Sequence, residues 1–176
     1  QELLVAPLID QPLSCMNYAL LADSDNNRPY IDDAFAPEML HPIADLPELP
    51  ALNQEGLAAA THYVESPLSV EPAAERSPFH GRVWVLVGEQ VYSASESFAV
   101  FCKETGFATL VGSQTGGDGI GALQLPNSGL LVQFTMMFGL NADGSSSEEA
   151  GTTPDLLSPG TEPPLITALR AIRETA

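Results

Sequence analysis

The stretch Gly81–Glu96, GRVWVLVGEQVYSASE, decides the fold. Arg82–Val87 is an apolar, β-branched run bounded by Gly81 and Gly88. That pattern predicts a strand buried on both faces, as in a parallel sheet covered by helices. Glu89–Tyr92 turns the corner, and Ser93-Ala94-Ser95-Glu96 opens a segment that runs to Thr105. Phe98, Phe101 and Cys102 recur there at helical spacing, and Gly106 is a C-terminal stop. A serine on such a corner lies beside unpaired backbone N–H groups and the positive end of the helix dipole. Those groups can bind the oxyanion of an acyl-transfer intermediate. The same tetrapeptide fits a capping box, in which Ser93 and Glu96 satisfy helix N–H groups. Taken alone, it supports both readings.

Downstream, Ala108–Val111 reads as a second strand and Gly112–Gly121, GSQTGGDGIG, as a glycine-rich loop. The loop lacks the Lys-Ser/Thr ending of a phosphate-binding P-loop and opens no helix. Its glycines suit a close approach of backbone to substrate. Leu123–Leu130 carries a turn at Pro126–Gly129 between strands, and Leu131–Leu140 reads as one buried strand. Asn141–Ser147 is a hairpin-type turn, and Thr161–Ala176 a C-terminal helix with Leu165, Ile166, Leu169 and Ile172 on one face.

Upstream, Gln1–Ile9 reads as the tail of a helix and Ser14–Leu21 as a strand. Asp23–Arg28 is a turn by composition. Asp23, Asp25 and Asn27 have the alternation of a calcium loop, but the glycine and distal Glu of an EF-hand are missing, so no metal site is expected. Five prolines from Pro29 to Pro50 exclude long regular elements. Asn53–Tyr63 then suggests a short helix, Val64–Val70 a strand, and Glu71–Phe79 a loop feeding the central strand.

The 176 residues fit one domain with an extension, and 44% hydrophobic content suffices for a core. Twenty-three acidic residues against 6 basic ones give a net charge of −17, which argues against nucleic acid or an anionic membrane as partner. Two cysteines, Cys15 and Cys102, make no disulfide scaffold, and Cys102 is expected as a buried free thiol. No run reaches the ~18 apolar residues of a membrane span. The start at Gln1, inside an amphipathic segment, suggests a fragment or a processed chain.

Four segments in order, VWVLVGEQVYSASE, LVGSQTGGDGIG, LPNSGL and DGSSSEEAGTTPD, resemble the C-terminal-processing (tail-specific) serine protease family. The branch they resemble is the one allied to the tricorn core protease and the retinoid-binding module. The resemblance covers residues 79 to 157. It implies an α/β fold with a crotonase-like ββα core over 79–176. Residues 1–78 would be a proline-rich covering segment that continues a truncated catalytic domain. It further implies Ser93 as nucleophile and the Ala94 N–H as an oxyanion-hole donor. Gly116, Gly117 and Asp118 would border the substrate cleft. Glu148, with Glu149 as the near alternative, would be the glutamate that orients the base; both equally fit surface charge beside a turn. The implied substrate is a polypeptide, without a cofactor, in a compartment outside the cytoplasm.

The departures concern the base. Many family members use a lysine from the loop after the second strand, and Asp118 stands at that position here. Lys103, the only lysine, lies ten residues after Ser93 on the same helix. That spacing is about 15 Å along the axis at ~1.5 Å per residue, far beyond the ~3 Å that proton transfer needs. The tricorn-like branch uses a histidine that lies upstream of a glycine-rich oxyanion-strand segment, and this sequence lacks that segment. His80 enters the central strand while Ser93 leaves it, roughly 20 Å apart at strand rise. His41 and His62 could fold over the site, but histidines so placed are more often structural. The expectation is therefore a base supplied by an upstream part of the same protein, and an isolated chain without activity. A non-catalytic ligand- or peptide-binding module on the same fold is the alternative. A crotonase-type acyl-thioester enzyme shares the fold, but the serine motif points away from it.

Overall fold

The computed structural model describes residues 1–74, 77, 79–117, 121–124, 127–134 and 137–175. Its strands are β1 (Leu13–Leu21), β2 (His41–Pro42), β3 (His62–Val70), β4 (Val83–Val87), β5 (Ala108–Gly112), β6 (Gly121–Gln124), β7 (Leu131–Phe134), β8 (Phe138–Leu140) and β9 (Leu156–Leu157). Its α-helices are α1 (Glu2–Val5), α2 (Arg28–Ala34), α3 (Gln54–Ala58), α4 (Ala94–Thr105), α5 (Ser147–Ala150) and α6 (Pro164–Thr175). The architecture is mixed α/β. Two compact units divide it, one of residues 1–15, 67–118 and 149–176, the other of 16–66 and 119–148. Each unit thus draws on residues from both sides of position 78.

The first unit is built on a parallel sheet in the order β4-β5-β9. Val83 pairs with Ala108 and Val87 with Gly112, while Val111 and Gly112 pair with Leu156 and Leu157. Helix α4 makes the crossover from β4 to β5, which is how parallel neighbours are joined. Its apolar side explains why it packs there. Ala99 and Cys102 meet Val87, Ala108 and Leu110, with Val83, Val85, Phe98 and Phe107 around them. Phe101 turns to a second cluster with Val5, Ala6, Ile9 and Val70. Gly106 closes α4 in the left-handed conformation at φ 68°, as its position in the sequence predicts.

Two expectations for this unit need correction. β4 is not buried on both faces: Leu86 is 45% exposed, whereas Val87 on the opposite face is buried. The apolar face expected for the C-terminal helix is also half open. Leu165, Ile166, Leu169 and Ile172 are 38–52% exposed, and the residue of α6 that is buried is the small Ala168. A small side chain lets a helix lie close on a sheet, so the larger ones flank the contact rather than fill it.

The second unit contains antiparallel pairings. Tyr18–Leu20 of β1 pairs with Phe138–Leu140 of β8, and His41 of β2 pairs with Tyr63 of β3. Ala19, Leu21, Ile31 and Val64 form one core cluster, and Leu20, Tyr63 and Leu140 another. β6 and β7 pair antiparallel, Gly121 opposite Phe134 and Gln124 opposite Leu131, while Pro126 of the expected turn lies outside the described residues. The single buried strand expected over Leu131–Leu140 is instead two strands with different partners, and Leu131 is 62% exposed. The turn expected over Asp23–Arg28 is present at 25–27, and helix α2 follows it where no element was expected. The signal for it was Pro29 in the first helical turn, a position that suits proline.

Candidate active site

β4 delivers the chain to the corner. The turn after it closes through Val91 N–H, which donates to the Gly88 carbonyl at 2.9 Å. Ser93 follows at φ 54°, ψ −125°, and is the one non-glycine residue at positive φ among the described residues. Such a conformation costs about 1–3 kcal/mol and persists where the surroundings over-determine it. The surroundings here are the glycine-rich loop. Ser93 N–H donates to Gly117 O at 3.3 Å, Gly116 N–H donates to Val91 O at 2.9 Å, and Tyr92 forms a parallel bridge with Gly117.

Both glycines are needed where they stand. A Cβ on Gly116 would lie 2.1 Å from the Tyr92 ring and 2.7 Å from the Glu89 carbonyl oxygen. Gly117 is buried at φ 94°, a left-handed conformation that glycine adopts without steric cost. The structure therefore gathers Ser93, Ala94, Gly116 and Gly117 at one corner. Asp118 lies outside the described residues. The Ala94 N–H, at the first helical position, finds no acceptor among the described residues, as expected for a helix's first N–H groups.

The capping-box reading is overturned. The Ser93 side chain makes no capping bond, and its residue is exposed. The Glu96 carboxyl, 0% exposed, accepts a hydrogen bond from Thr152 Oγ1 at 2.6 Å. Its Oε2 atom is buried with no hydrogen-bond partner. Among the described residues the Ser93 hydroxyl has no hydrogen-bond partner, and the Ala94 N–H beside it has no acceptor, while Ser95 N–H donates to Tyr92 O at 3.1 Å.

The segment Gly151–Asp155, GTTPD, locks this corner from below. Thr115 N–H donates to Thr152 O at 3.2 Å, and Thr152 N–H donates to Thr115 Oγ1 at 2.5 Å. Thr153 Oγ1 donates to Gln114 Oε1 at 2.9 Å, and Asp155 Oδ2 accepts from Leu110 N–H at 2.8 Å. Lys103 Nζ donates to the Thr153 carbonyl, which engages the chain's single lysine in structure.

Sequence reasoning missed Glu96, Thr115 and Thr152 as a set. One signal was available: Glu96 shares a helix face with the buried Ala99 and Val100, so its side chain points inward.

The other candidates have definite places. Glu148 belongs to the second unit, where it is half-buried and its Oε1 accepts from Gly139 N–H at 2.7 Å. The side chain of Glu149 lies outside the described residues. His80 Nδ1 is 4.0 Å from Asp10 Oδ2 with its side chain 73% exposed, ahead of β4. The His41 ring lies 5.1 Å from that of Tyr63, and His62 Nδ1 is 3.0 Å from Thr61 Oγ1. Cys102 is a buried free thiol as expected, and burial pushes its pKa up to about 12. Cys15 is raised to about 12 by burial and by the nearby Glu104 carboxylate. A thiol so raised is not a nucleophile at neutral pH.

No helix among the described residues is long and apolar enough to cross a membrane. A comparison with curated protein sequences returned no match. Solved structures do match in fold. A peptidase-like protein from Parabacteroides merdae ATCC 43184 superposes with a TM-score of 0.63 at 15% identity, covering 97% of this chain and 46% of that one. Mature CPAF complexed with lactacystin gives a TM-score of 0.53 at 18% identity, covering 87% of this chain and 35% of that one. A lipoprotein from Streptococcus agalactiae gives a TM-score of 0.52 at 11% identity, covering 98% of this chain and 48% of that one. The chain thus spans less than half the length of each of these proteins. The sequence profile of peptidase family S41 matches residues 41–158, a stretch that holds Ser93, its glycine loop and the GTTPD segment, and the chain belongs to that family.

Proposed function

We propose that the chain is the C-terminal part of the catalytic domain of a serine endopeptidase of the tail-specific class. The observation that carries this reading is Ser93, exposed at positive φ on a strand–helix corner with its hydroxyl uncommitted among the described residues. The Ser93 oxygen attacks the scissile carbonyl, and its proton passes to a histidine supplied by an upstream part of the protein. The Ala94 N–H holds the oxyanion, the base returns the proton to the leaving amine, and water releases the acyl group from Ser93.

Gly116, Gly117 and Asp118 border the polypeptide substrate, and Glu148 orients the base. The β4-α4-β5 unit is the part of a crotonase-like ββα core that this reading needs. A compartment outside the cytoplasm fits the same class.

Intact-mass labelling with a fluorophosphonate tests the reading on this chain and on a longer chain that restores the upstream segment. We expect one adduct on the long form, none after Ser93→Ala, and none on the short form. A folded long form without an adduct would leave the corner as a binding surface for a peptide or apolar ligand.

A further inference from the structure

Glu96 is an expensive residue to keep. A buried carboxyl group loses its hydration and needs compensating partners. Glu96 has one, Thr152 Oγ1 at 2.6 Å, and its second oxygen has none. An apolar side chain of similar volume would commonly be as stable or more so. A role in stability therefore explains Glu96 poorly, and its place in the hydrogen-bond pattern explains it better.

That pattern is a closed ring. From Ser93 it follows the first turn of α4, where Ser97 N–H donates to Ser93 O at 2.9 Å, to the Glu96 carboxyl. Thr152 Oγ1 joins Glu96 at 2.6 Å, and Thr152 is tied to Thr115 by bonds of 2.5 and 3.2 Å. The chain runs from Thr115 into Gly116 and Gly117, whose bonds to Val91 and Ser93 return to the start. The ring encloses the strained residue, which is the arrangement that keeps a positive-φ conformation from relaxing. Inside a protein such bonds are strong, and one missing member leaves the others unpaired.

We infer that Glu96 is a positioning residue: through Thr152 it holds the first turn of α4 against the glycine loop and so fixes the direction of the Ser93 hydroxyl. This rests on the reading of Ser93 as nucleophile. The active element is the hydrogen bond, not the charge. Thr152 donates to Glu96, so an amide oxygen at position 96 serves as well as a carboxylate oxygen.

The test uses the long protein and the saturation kinetics of fluorophosphonate labelling, with thermal unfolding run beside it. Thr152→Val keeps the shape and deletes the hydroxyl. It is expected to lower the maximal labelling rate at least about tenfold, as misplacement of a reacting group does, with the half-saturating probe concentration unchanged. Glu96→Ala should do the same. Thr152→Ser and Glu96→Gln, which keep the donor and the acceptor, should label within about threefold of the parent. That rescue separates positioning from bulk stability, since all four variants alter the same buried contact. A folded Thr152→Val that labels at the parent rate overturns the inference. So does a Glu96→Gln as slow as Glu96→Ala, which would show that the charge matters. Labelling that survives Ser93→Ala would instead sink the nucleophile reading beneath it.

Discussion

Ser93 holds a backbone conformation that side chains other than glycine rarely adopt, and its neighbours supply the room for it. The same reasoning ranks two glycines of the first unit. At Gly151, φ 64°, an added Cβ would lie 2.2 Å from the Thr115 carbonyl oxygen, so backbone must move. At Gly106, φ 68°, nothing lies within 4 Å, and a substitution meets only the left-handed strain. Gly106→Ala should therefore cost about 1 kcal/mol. Gly151→Ala should cost about 3 kcal/mol or more, overpacking added to strain. Urea-unfolding midpoints decide it, and equal losses would refute the local crowding at Thr115. At this scale the sequence shows Ser93 and Ala94 through their motif, and it misleads at Glu96. The spacing S-x-x-E is the same whether the carboxylate caps its own helix or turns inward, and the deciding partner, Thr152, lies 56 residues away.

Periodicity identifies an element well where one element has one environment. β4, α4 and β5 follow their patterns to within a residue or two because strand, crossover and strand are adjacent in sequence and in space. The apolar run 131–140 fails this condition. Its first part pairs with β6 and its last part with β1, and hydrophobicity alone does not say where a run changes partner. The turn that follows carries a prediction of its own. Asp143 Oδ1 accepts from Ser145 Oγ at 2.6 Å and from Ser145 N–H at 2.8 Å, and the hydroxyl bond above all holds its pKa below the ordinary 3.8. A carboxyl lowered in the folded state stabilises fully above its ordinary value and loses that contribution as pH falls through the folded value. Ser145→Ala should thus raise the Asp143 pKa, seen in carboxyl NMR titration. It should also weaken the loss of stability below about pH 4. An unchanged titration would mean that the hydroxyl is not the cause. The effect is modest, since the group is exposed and salt screens it.

Over the whole molecule, composition and charge narrow the partners, and motif order gives the family, before any contact is known. The division into two units was not legible. The first unit is assembled from three separate stretches, with boundaries inside β1 and β3, and nothing local marks a strand that passes from one unit to the next. The ring around Ser93 has the same long reach, and it sets a calendar for the site. The ribosome makes Ser93 and its helix first, and Thr152 arrives 59 residues later, so the corner can form long before it can be set. Closing so long a loop is slow compared with winding a helix. On refolding of the long protein, helical signal should return before probe reactivity at Ser93, and simultaneous recovery would count against this order. If Ser93 is the proposed nucleophile, a site that ripens last in this way would leave its own unfinished chain uncut.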